Sequence, residues 1–394
     1  MRAFLVVFSD AGHLNAMLAV AQHLEAQGHE LTIFSVQDDV SSRCSRAGLR
    51  ATCIVAAPAS SVAREEAQRS VKLGQQIGNA RWLKRWLSLT LVDGVAPVLE
   101  RLEAAIRDAA PDLIVTDAMA YAGAVAATRA KLPWAALSTT ALSLVSADDP
   151  LHAIFRDLGP ARDEMMASLG APLPFRGSDV ISPHLNVGFA VKELFPDADL
   201  QLVGAAIPIS PPATERPFPW DRIPSDRPLV LVCFGSHLSP KPDIYPAITN
   251  ALTSDEAFFV VVLKDLINDP LAAALPSHVL AVDYAPQLQL LERCALMVHH
   301  AGANSVMECI SRGVPMLCVP LGYDQHALGA AVARAGVGAV TNQEGVLGPD
   351  LRESLRELLA PDGPRRRAQS LAESSRHGAA RATELLVHIG KGST

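Results

Sequence analysis

Apolar residues in this chain gather into short, nearly continuous runs separated by longer amphipathic stretches. Phe4–Phe8, Leu31–Val36, the stretch from Pro111 to Asp117, and Pro133–Leu137 are the runs of the first half. Pro228–Phe234, Phe258–Leu263, Val279–Asp283, Leu296–His299 and Val314–Val319 are those of the second. Runs of this kind read as parallel strands buried on both faces. Leu185–Phe189 and Leu200–Val203 read as two further strands. Between the strands, helical spacing covers the stretch after Asn15 to about Gln27, Pro97–Ala109, Ala118–Arg129, Leu328–Ala335 and Pro349–Leu359, and Arg365–Ile389 reads as one long helix. Gly28 and Gly336 stand where two of these helices should stop. Strand–helix alternation of this kind predicts an α/β fold with doubly wound parallel sheets.

The alternation is interrupted once, by Pro208-Ile209-Ser210-Pro211-Pro212-Ala213-Thr214-Glu215-Arg216-Pro217-Phe218-Pro219. Proline at this density fits neither a helix interior nor a ladder, so the segment predicts a semi-rigid connector. Two domains follow: residues 1–207 and 227–375, joined by a linker over 208–226, with residues 376–394 as a final helix. A length of 394 residues fits two domains.

Composition narrows the partners. The net charge of −7 argues against nucleic acid as the main ligand. Cys44, Cys53, Cys233, Cys294, Cys309 and Cys318 form no C-x-x-C pair and have no metal-ligand spacing. They read as free thiols in a reducing cytoplasm, with no bound metal. MRAFLVVFSDAGH is broken at Ser9-Asp10 and does not read as a signal peptide. No apolar run reaches the ~20 residues of a membrane span.

Candidate chemistry sits where strands end, the edge at which open parallel sheets bind ligands. Val279–Gln325 is the densest case. Its turn, His300-Ala301-Gly302-Ala303-Asn304-Ser305, opens a helix. Small residues there let a ligand approach the backbone, and a helix start offers N–H donors to an anion. A diphosphate is the expected ligand. Gly235-Ser236 ends the first strand of the second half, and His13 follows the first strand of the chain. His13 is either an incidental loop residue or a base. Asp117, at the end of its strand, is either a helix cap or the carboxylate that orients such a base. The hydroxyls of Ser138-Thr139-Thr140 either cap a helix or face a substrate. Trp82 and Trp86 share a helical face and either pack in the core or wall a pocket. His152 and His184 read as surface residues.

The stretch resembles the donor-binding signature of the UDP-glycosyltransferase family. The matching residues are Tyr284-Ala285-Pro286-Gln287, His300-Ala301-Gly302-Ala303-Asn304-Ser305-Val306-Met307-Glu308, Gly313-Val314-Pro315, Pro320 and Asp324-Gln325. Gly12-His13 matches the family's G-H, although Ala16 stands where a proline is usual. The resemblance implies a GT-B fold: two Rossmann-like domains facing each other across a cleft, the last helix crossing back to the first domain. It implies an inverting, metal-independent transfer of a hexose from a nucleotide sugar to a small hydrophobic acceptor such as a polyketide, macrolide or flavonoid. His13 would be the base and Asp117 its orienting partner. Tyr284 would stack on the nucleotide base, and Gln287 and Glu308 would hold the ribose. Gly235 and Ser236 would contact the donor phosphates or lie across from the acceptor, His300, Gly302, Asn304 and Ser305 would line the diphosphate, and Asp324 and Gln325 would meet the sugar. Trp82 and Trp86 would shape the acceptor pocket. UDP-glucose is the first expectation for the donor and a dTDP-sugar the second. The nucleotide sugar is a co-substrate, and no separate cofactor is implied. The chain is expected to be a cytoplasmic monomer or weak homodimer.

Two rivals remain at this stage: a nucleotide-sugar epimerase on the same scaffold, and a non-catalytic auxiliary protein of a transferase. The first has no use for a His13–Asp117 pair, and the second typically loses the donor signature. A nicotinamide dehydrogenase is disfavoured, because neither strand-end loop carries G-x-G-x-x-G.

Overall fold

The computed structural model describes the backbone of residues 1–56, 80–145, 149, 152–213, 217–236 and 238–392, and the side chains of all of these but 80–83. The chain divides into two compact units: Met1–Ala213 together with His377–Thr394, and Thr214–Arg376.

The first unit is built on a seven-stranded sheet. Its strands are β1 (Arg2–Val7), β2 (Glu30–Ser35), β3 (Thr52–Val55), β4 (Leu113–Asp117), β5 (Trp134–Ser138), β8 (Leu185–Gly188) and β9 (Gln201–Leu202). A separate hairpin pairs β6 (Phe175–Arg176) with β7 (Asp179–Val180). The sheet order is β3-β2-β1-β4-β5-β8-β9, parallel throughout. Among the described residues, its helices of ten residues or more that precede the second unit are, in chain order, α1 (Ala11–Ala26), α2 (Ala96–Ala109), α3 (Tyr121–Ala130) and α4 (Ala153–Ser168).

Strand β1 shows why its sequence is apolar throughout. Leu5 and Val7 face a core shared with Leu14, Met17 and Leu24 of α1. Phe4 and Val6 face the opposite core, with Leu99 and Leu102 of α2 and Val125 of α3. A polar residue at any of these positions would be buried without a partner.

The second unit carries a six-stranded parallel sheet in the order β12-β11-β10-β13-β14-β15. The strands are β10 (Leu229–Cys233), β11 (Phe258–Val262), β12 (Val279–Val282), β13 (Cys294–His299), β14 (Met316–Cys318) and β15 (Gly338–Val340). Its longer helices are α5 (Ala303–Arg312), α6 (Gln325–Ala335) and α7 (Pro364–Ser375). In both sheets the order turns back on itself beside the first strand, between β1 and β4 and between β10 and β13. These are the switch points at which such sheets open a crevice for ligands.

One expectation fails. Arg365–Ile389 is not a single helix: α7 stops at Ser375, and α8 (Gly378–Lys391) begins afresh. The interruption at Arg376-His377 coincides with the change of unit. Helix α8 packs on α1, β4 and β8. Its first residue lies so close to Gly204 and Ala205 that an added Cβ would come within 2.6 Å of the Gly204 carbonyl carbon. Only glycine permits that approach.

Candidate active site

The first unit assembles its polar residues at the β1/β4 switch point. Strands β1 and β4 are paired in register, Val6 beside Thr116, so their ends open at one level. Helix α1 starts immediately after β1, with Asp10 preceding it, and His13 lies in its first turn. Helical side chains lean toward the N-terminus, which carries the imidazole back over the strand ends. Asp117 is the last residue of β4. His13 Nδ1 lies 2.8 Å from Asp117 Oδ2, and Met119 N–H donates to the other carboxylate oxygen at 2.9 Å. Asp117 therefore caps the following turn and partners the histidine at once. Because a carboxylate only accepts, the proton sits on Nδ1 and the lone pair of the neutral ring on Nε2.

Asp117 is 1% exposed, while the His13 side chain keeps 19% of its surface in solvent. Burial by itself would push the imidazole down. The charge and hydrogen bond of Asp117, reinforced by Asp10 and Asp179, overcome it and hold His13 up at about 9.

A third group joins the pair. Thr139, just past the end of β5, places its hydroxyl 2.8 Å from His13 Nδ1 and 3.0 Å from Asp117 Oδ2. Its neighbour Ser138 donates to a second buried carboxylate, Asp179, at 2.6 Å, and Ser178 donates to the other oxygen at 2.6 Å. Burial pushes Asp179 up, the two serine hydroxyls pull it down, and the Asp117 charge pushes it up again. Adjacent hydroxyls of one strand end thus serve two carboxylates. Asp179 escapes sequence reading because its partner Ser138 lies 41 residues away, across an irregular stretch.

His152 also departs from expectation. It is 2% exposed rather than on the surface, and among the described residues neither ring nitrogen has a hydrogen-bond partner. Its ring is seated against Gly177, which has φ +57° and lacks the Cβ that would collide with it. His184 is exposed. Trp86 is half-buried and packs against the core that contains Phe4 and Leu99. The side chain of Trp82 lies outside the described residues.

In the second unit, the predicted donor residues all follow the C-terminal ends of strands in one parallel sheet. Gly235 and Ser236 follow β10, Tyr284 follows β12, His300 to Ser305 follow β13, and Asp324 and Gln325 follow β14. Tyr284 is 60% exposed. Gln287 Nε2 donates to Glu308 Oε2 at 2.6 Å and to Ser305 Oγ at 3.2 Å. Burial pushes the half-buried Glu308 up to about 7, against the pull of the Gln287 hydrogen bond and of Arg312. Gly302 is the N-cap residue of α5, and Asn304 and Ser305 lie in its first turn. Gln325 is turned inward: its Oε1 accepts from the backbone of Leu321 at 2.8 Å and of Gly322 at 3.1 Å. His299 is buried, accepts from Ala301 N–H at 3.1 Å through Nδ1, and is pushed down to about 3 by burial, aided by His300.

Residues 251–385 match the family model described as "Erythromycin biosynthesis protein CIII-like, C-terminal domain". Demethyllactenocin mycarosyltransferase of Streptomyces fradiae is 26% identical over 349 residues, covering 83% of this chain and 73% of that protein. Oleandomycin glycosyltransferase of Streptomyces antibioticus is 26% identical over 400 residues, covering 96% of this chain and 89% of that protein. The crystal structure of glycosyltransferase VinC in complex with dTDP is 22% identical, aligns over all of both chains and superposes with a TM-score of 0.73. The chain has the GT-B fold and is related to the bacterial macrolide and natural-product glycosyltransferases.

For this glycosyltransferase the co-substrate is a nucleotide sugar. Among the described residues of the glycosyltransferase, no helix is long and apolar enough to cross a membrane, and no cluster of three or more His, Cys, Asp or Glu side chains is arranged for a metal ion.

Proposed function

We propose that the enzyme is an inverting, metal-independent hexosyltransferase whose acceptor is a hydroxyl of a small hydrophobic molecule such as a polyketide, macrolide or flavonoid. The His13–Asp117 contact at the β1/β4 switch point carries the reading. A transferase to hydroxyl acceptors needs a base at that place, whereas an epimerase or an auxiliary protein does not.

The neutral His13 would take the acceptor proton on Nε2 as the acceptor oxygen attacks the anomeric carbon. The new C–O bond forms while the bond to the diphosphate breaks, and the electron pair leaves with the diphosphate. Approach from the opposite side inverts the anomeric centre. Asp117 stabilises the imidazolium that results, and general-base help of this kind is worth about 10²–10⁴ in rate. The departing charge would be met by the N–H groups at the start of α5 and by His300. Tyr284 would stack on the nucleotide base, and Gln287 and Glu308 would hold the ribose. Asp324 would meet the sugar, with the Gln325 amide nitrogen, since Gln325 Oε1 is engaged by its own turn.

The donor is a UDP- or dTDP-linked hexose. The Glu308 and Asp324-Gln325 set favours UDP-glucose. The mycarosyltransferase relative and VinC with its bound dTDP favour a dTDP-deoxyhexose. A thermal-shift panel of UDP, dTDP, GDP, UDP-glucose and NAD decides between them. Ligand at 100 times its Kd should add about 2.7 kcal/mol, a rise of a few degrees in Tm. A rise with UDP or dTDP alone supports the donor site. No rise with either, in a folded protein, overturns it.

A further inference from the structure

The small residues of the donor loops read, from sequence, as room for a ligand to approach the backbone. In the folded chain that room is already filled, by the imidazole of His300. A Cβ added at Gly302 would lie 2.6 Å from His300 Nε2 and 2.9 Å from Cε1. A Cβ added at Gly235 would lie 2.5 Å from Cε1 and 2.7 Å from Nε2 of the same ring. The two glycines come from different loops, one after β10 and one after β13, on strands that pair at the switch point with Cys233 beside His299. They close on one edge of one side chain from two directions.

The glycines differ in backbone conformation. Gly235 has φ +71°, a region that strains any L side chain whatever the space. Gly302 has φ −66° and ψ 143°, which alanine adopts freely. At Gly302 the collision with His300 is therefore the main reason for having no side chain. Gly302 is also the N-cap of α5, so the nitrogen edge of the ring lies over the start of that helix. The ring and the first N–H groups of the helix are thereby neighbours, an arrangement that suits a single anionic group.

We propose that Gly302 and Gly235 form a slot that fixes the His300 ring, so that the ring and the start of α5 hold one phosphate of the nucleoside diphosphate together. The two glycines are positioning residues that act through His300. This rests on the donor-site reading above and assigns the loop glycines a different task within it.

The test is a double-mutant cycle with Gly302→Ala, His300→Ala and the double variant, using UDP and dTDP as probes in isothermal titration and Tm as a parallel readout. Gly302→Ala should weaken diphosphate binding about 10- to 100-fold, the range of one hydrogen bond to a charged group. In the His300→Ala background the same substitution should leave affinity unchanged within about twofold, because the added methyl enters the space the ring has left. The modest cost of alanine at an N-cap is present in both backgrounds and cancels. The Tm cycle should show the same coupling: Gly302→Ala lowers Tm more in the native background than in the His300→Ala one. The slot is overturned if Gly302→Ala binds the diphosphate like the native protein, or if it costs the same in both backgrounds. Should Gly302→Ala fail to fold alone, recovery of folding in the double variant supports the slot and failure there overturns it. If the native protein binds neither diphosphate, the donor reading falls, while the Tm cycle still decides whether the glycines act through His300.

Discussion

Replacing Asp117 with asparagine keeps the shape of the His13 partner and removes its charge. In the native protein the pair raises His13 from 6.5 to about 9. The difference corresponds to roughly 3 kcal/mol in favour of the imidazolium, net of the burial that opposes it. Two consequences follow. Because the folded value is the higher one, this contribution to stability is complete below pH 6.5 and is lost as the pH rises through about 9. The difference in unfolding free energy between native and Asp117→Asn should therefore shrink by about 3 kcal/mol across that window, as read from urea melts at a series of pH values. Second, only the neutral ring acts as a base, and at pH 7 a group titrating near 9 is neutral in roughly one molecule in a hundred. The native kcat/KM should rise about tenfold per pH unit up to a bend near 9. In Asp117→Asn burial meets weaker opposition, so the bend should move down by about 2 on the pH scale while the plateau falls about 10²- to 10⁴-fold. The crossing of a lower bend with a lower plateau is the signature. A native bend at 6.5, or a bend that stays in place in the variant, would refute the reasoning.

Other substitutions probe single links. Thr139→Val removes a hydroxyl that touches both members of the pair; stability should fall by about 1–2 kcal/mol and kcat/KM by about tenfold, with Thr139→Ser recovering most of both. Glu308 titrates near 7, and its ionised form accepts ribose hydroxyls more strongly. UDP or dTDP affinity measured by calorimetry should rise between pH 6 and 8 in the native protein and stay flat in Glu308→Gln. Gly378→Ala pushes the start of α8 away from the Gly204–Ala205 backbone; a loss of about 1–3 kcal/mol in urea melts is expected, with diphosphate binding unchanged.

The strands were legible because burial on both faces of a parallel sheet leaves an unbroken apolar run, as in Phe4–Phe8. The gathering of His13 and Asp117 at one edge was legible for a related reason: each follows a strand, and strand ends in one parallel sheet lie together. What stayed hidden depends on contacts with no local trace. Asp179 meets Ser138 only after a hairpin folds back. His152 sits in an irregular segment whose polarity read as surface, and its burial depends on a glycine 25 positions later. The long helix expected over Arg365–Ile389 breaks at Arg376-His377, between Ser374-Ser375 and Gly378, a short run of weak helix formers set between two longer helical stretches. The loop glycines were visible as small residues, but their occupant is the His300 side chain, which comes from the loop of Gly302 and reaches Gly235 in a loop far away in sequence.

The measurement closest to the central claim is sugar transfer by His13→Ala beside the native protein. Release of the nucleoside diphosphate from UDP-glucose and from a dTDP-sugar would be followed with a panel of phenolic and macrolide acceptors, and UDP and dTDP binding would be titrated in both proteins. Native turnover, loss of about 10²-fold or more in His13→Ala, and equal diphosphate affinity in the two proteins is the predicted result. Undiminished transfer by His13→Ala would contradict the assignment of His13 as the base.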